Sequence, residues 1–373
     1  MTEKLAVFAN DLGASFIDFH LKDLAPGRTV AVGNYGEIPI ASLWPVECPA
    51  LFFESLERSA GRRILRRLGI PGTSPRESSV RRFLKRHRVS HVLGEYLDQF
   101  IDFVPLMDEL RIPYVIQAHG YDISQCLRDP AFVAKISRYR TARAILTRCK
   151  FHRIRLIDLG LPPDKIFVNM GGIRTSDQCP MLSESAGVRF LAIGRMVPKK
   201  GPMFLFEAFR LLAAKDPKVS LDWVGGGPFF PAVSQAICAA GLERRIRLHG
   251  YAPEETKQGL LRECGVFVQH SIVDPETGDE EGLPAAIQEA MAHGLAVVST
   301  RHAGIPEAVV EGVTGLLVDE GDVNGMADAM GEAGKQYREF GRAGYREAVA
   351  KHDWRYERDR LRFHLFGAAS AVS

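Results

Sequence analysis

Short apolar runs alternate with amphipathic stretches along the whole chain. In the first half, Leu5–Ala9, Thr29–Val32, His91–Leu93 and Pro113–Gln117 are apolar almost throughout, rather than at every second position. Such runs suit strands covered on both faces, as in a parallel sheet wrapped by helices. Between the first two, Phe16, Phe19, Leu21 and Leu24 recur at helical spacing and predict a helix over Ser15–Leu24. The pattern restarts at Val188–Ile193, which Gly194 breaks, and Phe204, Leu205, Ala208, Phe209 and Leu212 then give Pro202–Ala214 one apolar face. Further strands are expected at Val219–Val224, Ile246–Leu248, Val266–Gln269, Ala296–Ser299 and Gly315–Val318. Cys179–Gly187 reads as a linker between the halves, and Trp354–Phe366 as an amphipathic helix.

A length of 373 residues exceeds what one core usually serves, so two α/β domains are expected. The balance of 46% hydrophobic and 25% charged residues is that of a globular protein, and a net charge of only +3 argues against a nucleic-acid partner. No apolar run approaches the roughly 20 residues needed to span a bilayer, and the start MTEKLAVFAND reads as a buried strand rather than a signal peptide. The cysteines Cys48, Cys126, Cys149, Cys179, Cys238 and Cys264 have no C-x-x-C or metal-ligand spacing, so each is expected to be a small buried thiol in a cytoplasmic protein. Residues 58–88 are strongly basic and include only Glu77 as a counter-charge. They read either as a solvated helical pair or as a peripheral contact for anionic lipid headgroups, where each Lys or Arg contributes about 1 kcal/mol.

The densest chemistry lies in Glu281–Gly294. Pro284 suits the first helical position and Gly294 a C-terminal stop, so Gly282 and Leu283 fall at a helix N-terminus whose N–H groups attract anions and sugar hydroxyls. Glu281 stands at the mouth of that site. Glu289 lies two turns inside an otherwise apolar helix, where a carboxylate needs a partner that a ribose diol would supply. In Gly194–Gly201, Arg195 and Lys200 offer fixed positive charge after a strand, with Lys199 expected to face solvent. Gly225-Gly226-Gly227-Pro228 is not a dinucleotide fingerprint, since the last glycine of that motif would fall at Phe230; an NAD-dependent oxidoreductase is disfavoured. The acidic tract Asp274–Glu280 reads as a mobile solvated loop, not a metal site.

Glu281 and Glu289 match the Glu-x7-Glu motif of retaining glycosyltransferases, and the surrounding string resembles family 4 of the GT-B enzymes. The resemblance implies that Glu281, with Gly282, Leu283 and Pro284, meets the transferred sugar, and that Glu289 meets the nucleotide ribose. It likewise gives Arg195 and Lys200 to the donor diphosphate, and His119 of Gln117–Asp122, similar to the family's H-G-x-D segment, to the reacting sugar or acceptor. Asn10–Ala14 takes the place of the family's first glycine loop, with a single Gly13 for phosphate where a glycine pair is usual. Tyr251 is either a wall of the base pocket or an ordinary loop aromatic. Arg301–Glu307 resembles the family's G-x-P-E stretch, with His302 and Glu307 read mainly as architecture.

The fold so implied is GT-B: two facing Rossmann-like domains with parallel sheets, and a C-terminal helix crossing back. Residues 1–180, with 355–373, form the acceptor domain and 187–354 the donor domain. The implied function is retaining transfer of a hexosyl unit from a nucleotide-diphosphate sugar, UDP favoured and GDP next, to a saccharide or lipid-linked saccharide. Polysaccharide or glycoconjugate synthesis at the inner membrane face is the setting, with no metal or other cofactor. Glycosylation of a small soluble metabolite is the runner-up, and a non-catalytic nucleotide-sugar-binding subunit the alternative of another class.

Overall fold

The protein, described by a computed structural model over residues 3–10, 12, 15–34, 48–53, 75–176, 179 and 188–367, divides into two units. Unit 1 holds Met1–Thr147, Arg153–Asn169 and Arg358–Ser373, and unit 2 holds Arg148–His152 and Met170–Glu357. The last helix, Trp354–Phe366, therefore starts in unit 2 and ends in unit 1.

Among the described residues, unit 1 is built on β1 (Leu5–Ala9), β2 (Thr29–Gly33), β3 (Ala50–Phe52), β4 (His91–Glu95), β5 (Tyr114–Gln117), β6 (Ala144–Thr147) and β7 (Ile166–Val168), ordered β3-β2-β1-β4-β5-β6-β7. Unit 2 is built on β8 (Arg189–Ile193), β9 (Ser220–Val224), β10 (Ile246–Gly250), β11 (Val266–Val268), β12 (Ala296–Thr300) and β13 (Gly315–Val318), ordered β10-β9-β8-β11-β12-β13. Every strand pair is parallel. Both orders reverse beside the first strand, the Rossmann arrangement, so each unit has a switch point: β1/β4 in one and β8/β11 in the other.

The continuous apolar runs are explained by burial on both faces. In β1, Ala6 and Phe8 enter one core while Leu5, Val7 and Ala9 enter the other. In β12, Ala296 and Val298 join one core and Val297 the opposite one. Leu361 and Leu365 of the last helix pack with Leu5 and Val7. Three strands were not foreseen. β3 and β7 are three-residue strands, Ala-Leu-Phe and Ile-Phe-Val, too short to carry a period. β6 has only four residues, between the polar Arg143 and Arg148.

The buried-cysteine expectation holds for Cys149 and Cys264, whereas Cys238 is exposed; all six are free thiols. Of the basic stretch, the described part forms the helix Pro75–Arg86, where Arg81 pairs with Glu109 as well as Glu77. Residues 58–74 and most of the linker lie outside the described residues. Among the described residues no helix is long and apolar enough to cross a membrane.

Candidate active site

In unit 2, chemistry gathers past the carboxyl ends of β8 and β11, the two strands flanking the switch point, where open α/β sheets bind ligands. The turn after β8 needs glycine for close approach. A Cβ on Gly225, which has φ +132°, would stand 1.9 Å from the Gly194 carbonyl oxygen. Beyond it a short helical turn, Pro198–Lys200, presents two lysines to the segment that follows β11. Lys200 Nζ lies 3.3 Å from Glu281 Oε1 and donates to Gln269 Oε1 at 3.4 Å. Arg195, at the same turn, is exposed.

Lys199 does not face solvent. It is 9% exposed, donates to Asp279 Oδ1 at 3.0 Å and to the Glu280 carbonyl at 3.3 Å, and lies 3.6 Å from Glu281 Oε1. The reason is that the acidic tract folds back over the lysine turn, with the Ile272 N–H donating to the Lys199 carbonyl at 2.9 Å. The tract is correspondingly not a solvated loop. Asp274 and Glu280 are buried, the Asp274 N–H donates to the Asp279 carbonyl at 2.9 Å, and the Gly278 N–H donates to the Asp274 carbonyl at 2.8 Å.

Burial pushes the Glu281 carboxyl upward, but the Lys200 and Lys199 ammoniums outweigh it and hold the group below the usual carboxylate range. Burial also pulls Lys200 below the usual lysine range, against the pull of Glu281. Glu281 thus stays an acceptor for hydroxyl donors. Its backbone is fixed as well: its N–H donates to His302 Nε2 at 3.1 Å. That bond puts the His302 proton on Nδ1, which donates to Glu320 Oε1 at 2.6 Å. Glu320 Oε2 also accepts the Val273 N–H at 2.9 Å. Next to Glu281, the Gly304 N–H donates to the Gly282 carbonyl at 2.8 Å.

Gly282, Leu283 and Pro284 are buried where this loop enters the helix Ala285–Ala292. Pro284 is the cap, with ψ 121°, and not the first helical residue. Its fixed φ suits either place, and the extended ψ selects the cap. His293 ends the helix and Gly294, at φ +75°, follows. Glu289 already has a protein partner: Lys257 Nζ donates to its carboxylate at 3.2 and 3.3 Å. The partner that its place in an apolar helix calls for is thus present within the chain itself. Tyr251 is 79% exposed and its ring covers Gly226, where a Cβ would come within 2.7 Å.

Unit 1 places His119 just past β5 in a buried polar network. Glu95, the last residue of β4 and 0% exposed, lies 2.9 Å from His20 Nδ1 through Oε1 and 2.9 Å from His119 Nε2 through Oε2. Gln117 Nε2 donates to Glu95 Oε1 at 3.1 Å. Burial raises the Glu95 carboxyl, yet His20 and His119 hold it down at about 2. Tyr96, in a positive-φ conformation at +63°, stacks on the His119 ring with centroids 4.2 Å apart. Asp122 accepts the His119 N–H at 2.9 Å and the Leu97 N–H at 2.8 Å, so one carboxylate holds the loops after β4 and β5 together. Gly13 lies outside the described residues.

Sequence reasoning missed Glu95, His20, Lys199, Asp279 and Glu320. Only Glu95 left a signal, a carboxylate ending an otherwise apolar strand. Among the described residues no three His, Cys, Asp or Glu side chains are grouped to hold a metal ion.

Residues 187–335 match the family described as Glycosyl transferases group 1. A 214-residue stretch is 30% identical to the amylovoran biosynthesis glycosyltransferase AmsK of Erwinia amylovora, covering 57% of this chain and 50% of that protein. A 180-residue stretch is 34% identical to the putative colanic acid biosynthesis glycosyltransferase WcaL of Salmonella typhimurium, covering 48% of this chain and 44% of that one. The chain thus spans about half the length of these curated relatives. Among solved structures, Anabaena Alr3699/HepE in complex with UDP and glucose superposes with a TM-score of 0.75 at 18% identity, over 96% of this chain and 98% of that one. The fold is α/β, of the GT-B class, and the likenesses support a glycosyltransferase family.

Proposed function

We propose that the chain is a retaining glycosyltransferase that moves a hexosyl unit from a nucleotide-diphosphate sugar to a hydroxyl of a saccharide or lipid-linked saccharide. The observation that carries this reading is the cluster of Glu281, Lys200 and Lys199, with the 3.3 Å Lys200–Glu281 pair at the entrance to the helix Ala285–Ala292. It joins an ionised acceptor for sugar hydroxyls to cations and a helix N-terminus for phosphate. The UDP in the HepE structure and the polysaccharide setting of AmsK and WcaL favour a UDP-sugar donor and a polysaccharide or glycoconjugate product.

In this reading Lys200, with Arg195 beside it, takes up the negative charge that builds on the diphosphate as the anomeric carbon–oxygen bond breaks. Glu281 orients the sugar through its hydroxyls, and Glu289, held by Lys257, accepts from the ribose. The acceptor oxygen bonds to the anomeric carbon on the face the diphosphate leaves, and its proton passes to the departing phosphate oxygen. The products are a glycoside of unchanged anomeric configuration and a nucleoside diphosphate. His119, its Nε2 fixed by Glu95, bonds the sugar or acceptor. The exposed cations of Pro75–Arg86 favour work at an anionic membrane face.

The test is a thermal-shift panel of UDP-, GDP-, ADP- and dTDP-sugars, followed by nucleotide release and the anomeric coupling of the product by NMR. One nucleotide series should raise the melting temperature, and Glu281→Ala should abolish release. No shift from any donor, or an inverted product, sinks the reading.

A further inference from the structure

Two histidines lie just past neighbouring strands of unit 2, His270 after β11 and His302 after β12, and they are 0% and 1% exposed. Both rings accept a backbone N–H on Nε2. His270 takes that of Gly321 at 2.9 Å, and His302 takes that of Glu281 at 3.1 Å. Glu320 and Gly321, which follow β13, thus meet one ring each. Burial holds the His270 imidazole down at about 4, so it stays a neutral acceptor for that turn.

The rings differ at the other nitrogen. His270 Nδ1 has no partner among the described residues, whereas His302 Nδ1 donates to Glu320 Oε1 at 2.6 Å. Glu320 is committed on both oxygens, since Oε2 accepts the Val273 N–H at 2.9 Å. A neutral imidazole carries one N–H, and a carboxylate on Nδ1 leaves Nε2 to accept. The carboxylate therefore selects the tautomer that the Glu281 backbone requires. Ala303, the next residue, sits at φ +42°, a left-handed conformation that persists in a non-glycine residue where its surroundings over-determine it.

We infer that His302 and Glu320 are a positioning dyad for Glu281, acting through its peptide N–H and not through the substrate. The inference rests on the transferase reading, in which Glu281 orients the donor's sugar. Lys200 and Lys199 act on the Glu281 carboxylate and set its charge, but the place of its peptide is set by the turn beside it. There His302 takes the Glu281 N–H, and the Gly304 N–H donates to the Gly282 carbonyl at 2.8 Å. An isosteric amide cannot replace Glu320. Its one oxygen cannot serve both Val273 and His302, and its NH2 turned toward Nδ1 draws the imidazole into the other tautomer, setting N–H against N–H at Glu281. Because the dyad works through Glu281, it bears on the sugar of the donor and not on its nucleotide.

The experiment uses the full chain and calorimetry with UDP-glucose against UDP, and GDP-mannose against GDP. In the pair that binds wild type, Glu320→Gln and His302→Leu should each weaken the nucleotide sugar about tenfold, the worth of one good hydrogen bond. The nucleoside diphosphate should keep its wild-type affinity, which also shows that the variants fold. His302→Gln should recover most of the loss, because its side-chain oxygen can accept the Glu281 N–H in place of Nε2. Heteronuclear NMR of the chain labelled at the histidine nitrogens supplies the direct signature. The imidazole signal that His302→Gln removes should be that of the Nδ1–H tautomer in wild type, and should depart from it in Glu320→Gln. An Nε2–H form in wild type, variants that keep their sugar-nucleotide affinity, or a loss shared equally by nucleotide and nucleotide sugar overturns the dyad and leaves the transferase reading standing. Failure of both pairs to bind wild type overturns the transferase reading, and the role of the dyad falls with it.

Discussion

His152 Nε2 stands 3.1 Å from Glu280 Oε1, with the two side chains 0% and 5% exposed. Glu280 is the immediate neighbour of Glu281, and His152 belongs to the first turn of the helix Lys150–Asp158. A buried ion pair therefore clamps the peptide that carries the central carboxylate of the site. On its other side the Glu280 carbonyl accepts from Lys199 at 3.3 Å.

Burial pushes His152 down, but the Cys149 sulfur and the Glu280 carboxylate more than offset it and hold the imidazole at about 9. The folded value lies above the ordinary 6.5, so the stabilisation is complete below pH 6.5 and is lost as pH rises through about 9. His152→Gln should lower stability by about 3 kcal/mol at pH 6, the usual cost of leaving a buried charge unpaired, and flatten that alkaline decline. Urea unfolding at pH 6, 8 and 9.5 measures both. A variant with the wild-type pH profile refutes the clamp.

Glu95 bonds two histidines at once, and its folded value of about 2 lies below the ordinary 4.5. Its contribution is present above pH 4.5 and fades as the pH falls toward 2. Glu95→Gln should cost about 2 kcal/mol near neutral pH, since an amide replaces the buried carboxylate that His20, His119 and Gln117 all bond. It should also make acid unfolding shallower. His119→Ala, at a less buried position, should cost less stability and more transfer activity, which a paired denaturation and nucleotide-release assay resolves.

Gly304 packs where a side chain has no room. Its Cβ would stand 2.6 Å from the Gly282 carbonyl oxygen and 2.6 Å from Cys149 Cβ. Gly304→Ala should therefore displace the turn beside Glu281 and destabilise by about 1–3 kcal/mol, as overpacking does. Nucleotide-sugar affinity should fall with it. Gly259, inside the helix Glu254–Glu263 with nothing within 4 Å, is the control. Gly259→Ala should stabilise by up to about 1 kcal/mol through helix propensity, with affinity intact by calorimetry.

Lys257 bonds Glu254 at 3.0 Å and Glu289 at 3.2 Å, and burial, which lowers it, is outweighed by these carboxylates, which raise it. If Glu289 accepts from the donor's ribose, Glu289→Ala should weaken nucleotide binding about tenfold, one good hydrogen bond. Lys257→Met should weaken it less, because it removes only the group that orients the carboxylate. Titration calorimetry with UDP separates the two, and equal wild-type affinity in both variants removes the ribose role.

The alternation of apolar runs and amphipathic helices was legible along the chain because burial on both faces of a parallel strand leaves an uninterrupted apolar segment in one stretch of sequence. Leu5–Ala9 and Ala296–Thr300 are such cases, and the Gly294 stop is equally local. The partners of the charges were not legible. Lys199 meets Asp279 across 80 residues, and His152 meets Glu280 across 128. Lys199 reads as the solvent-facing member of the Lys199-Lys200 pair, because nothing local shows the acidic tract closing over it. Sequence by itself determined where strands, turns and chemistry-bearing segments fall, since each depends on a few adjacent residues. Tertiary structure alone decided which carboxylate each cation neutralises, because that depends on the strand order bringing β8 beside β11, and strand order leaves no mark on local spacing.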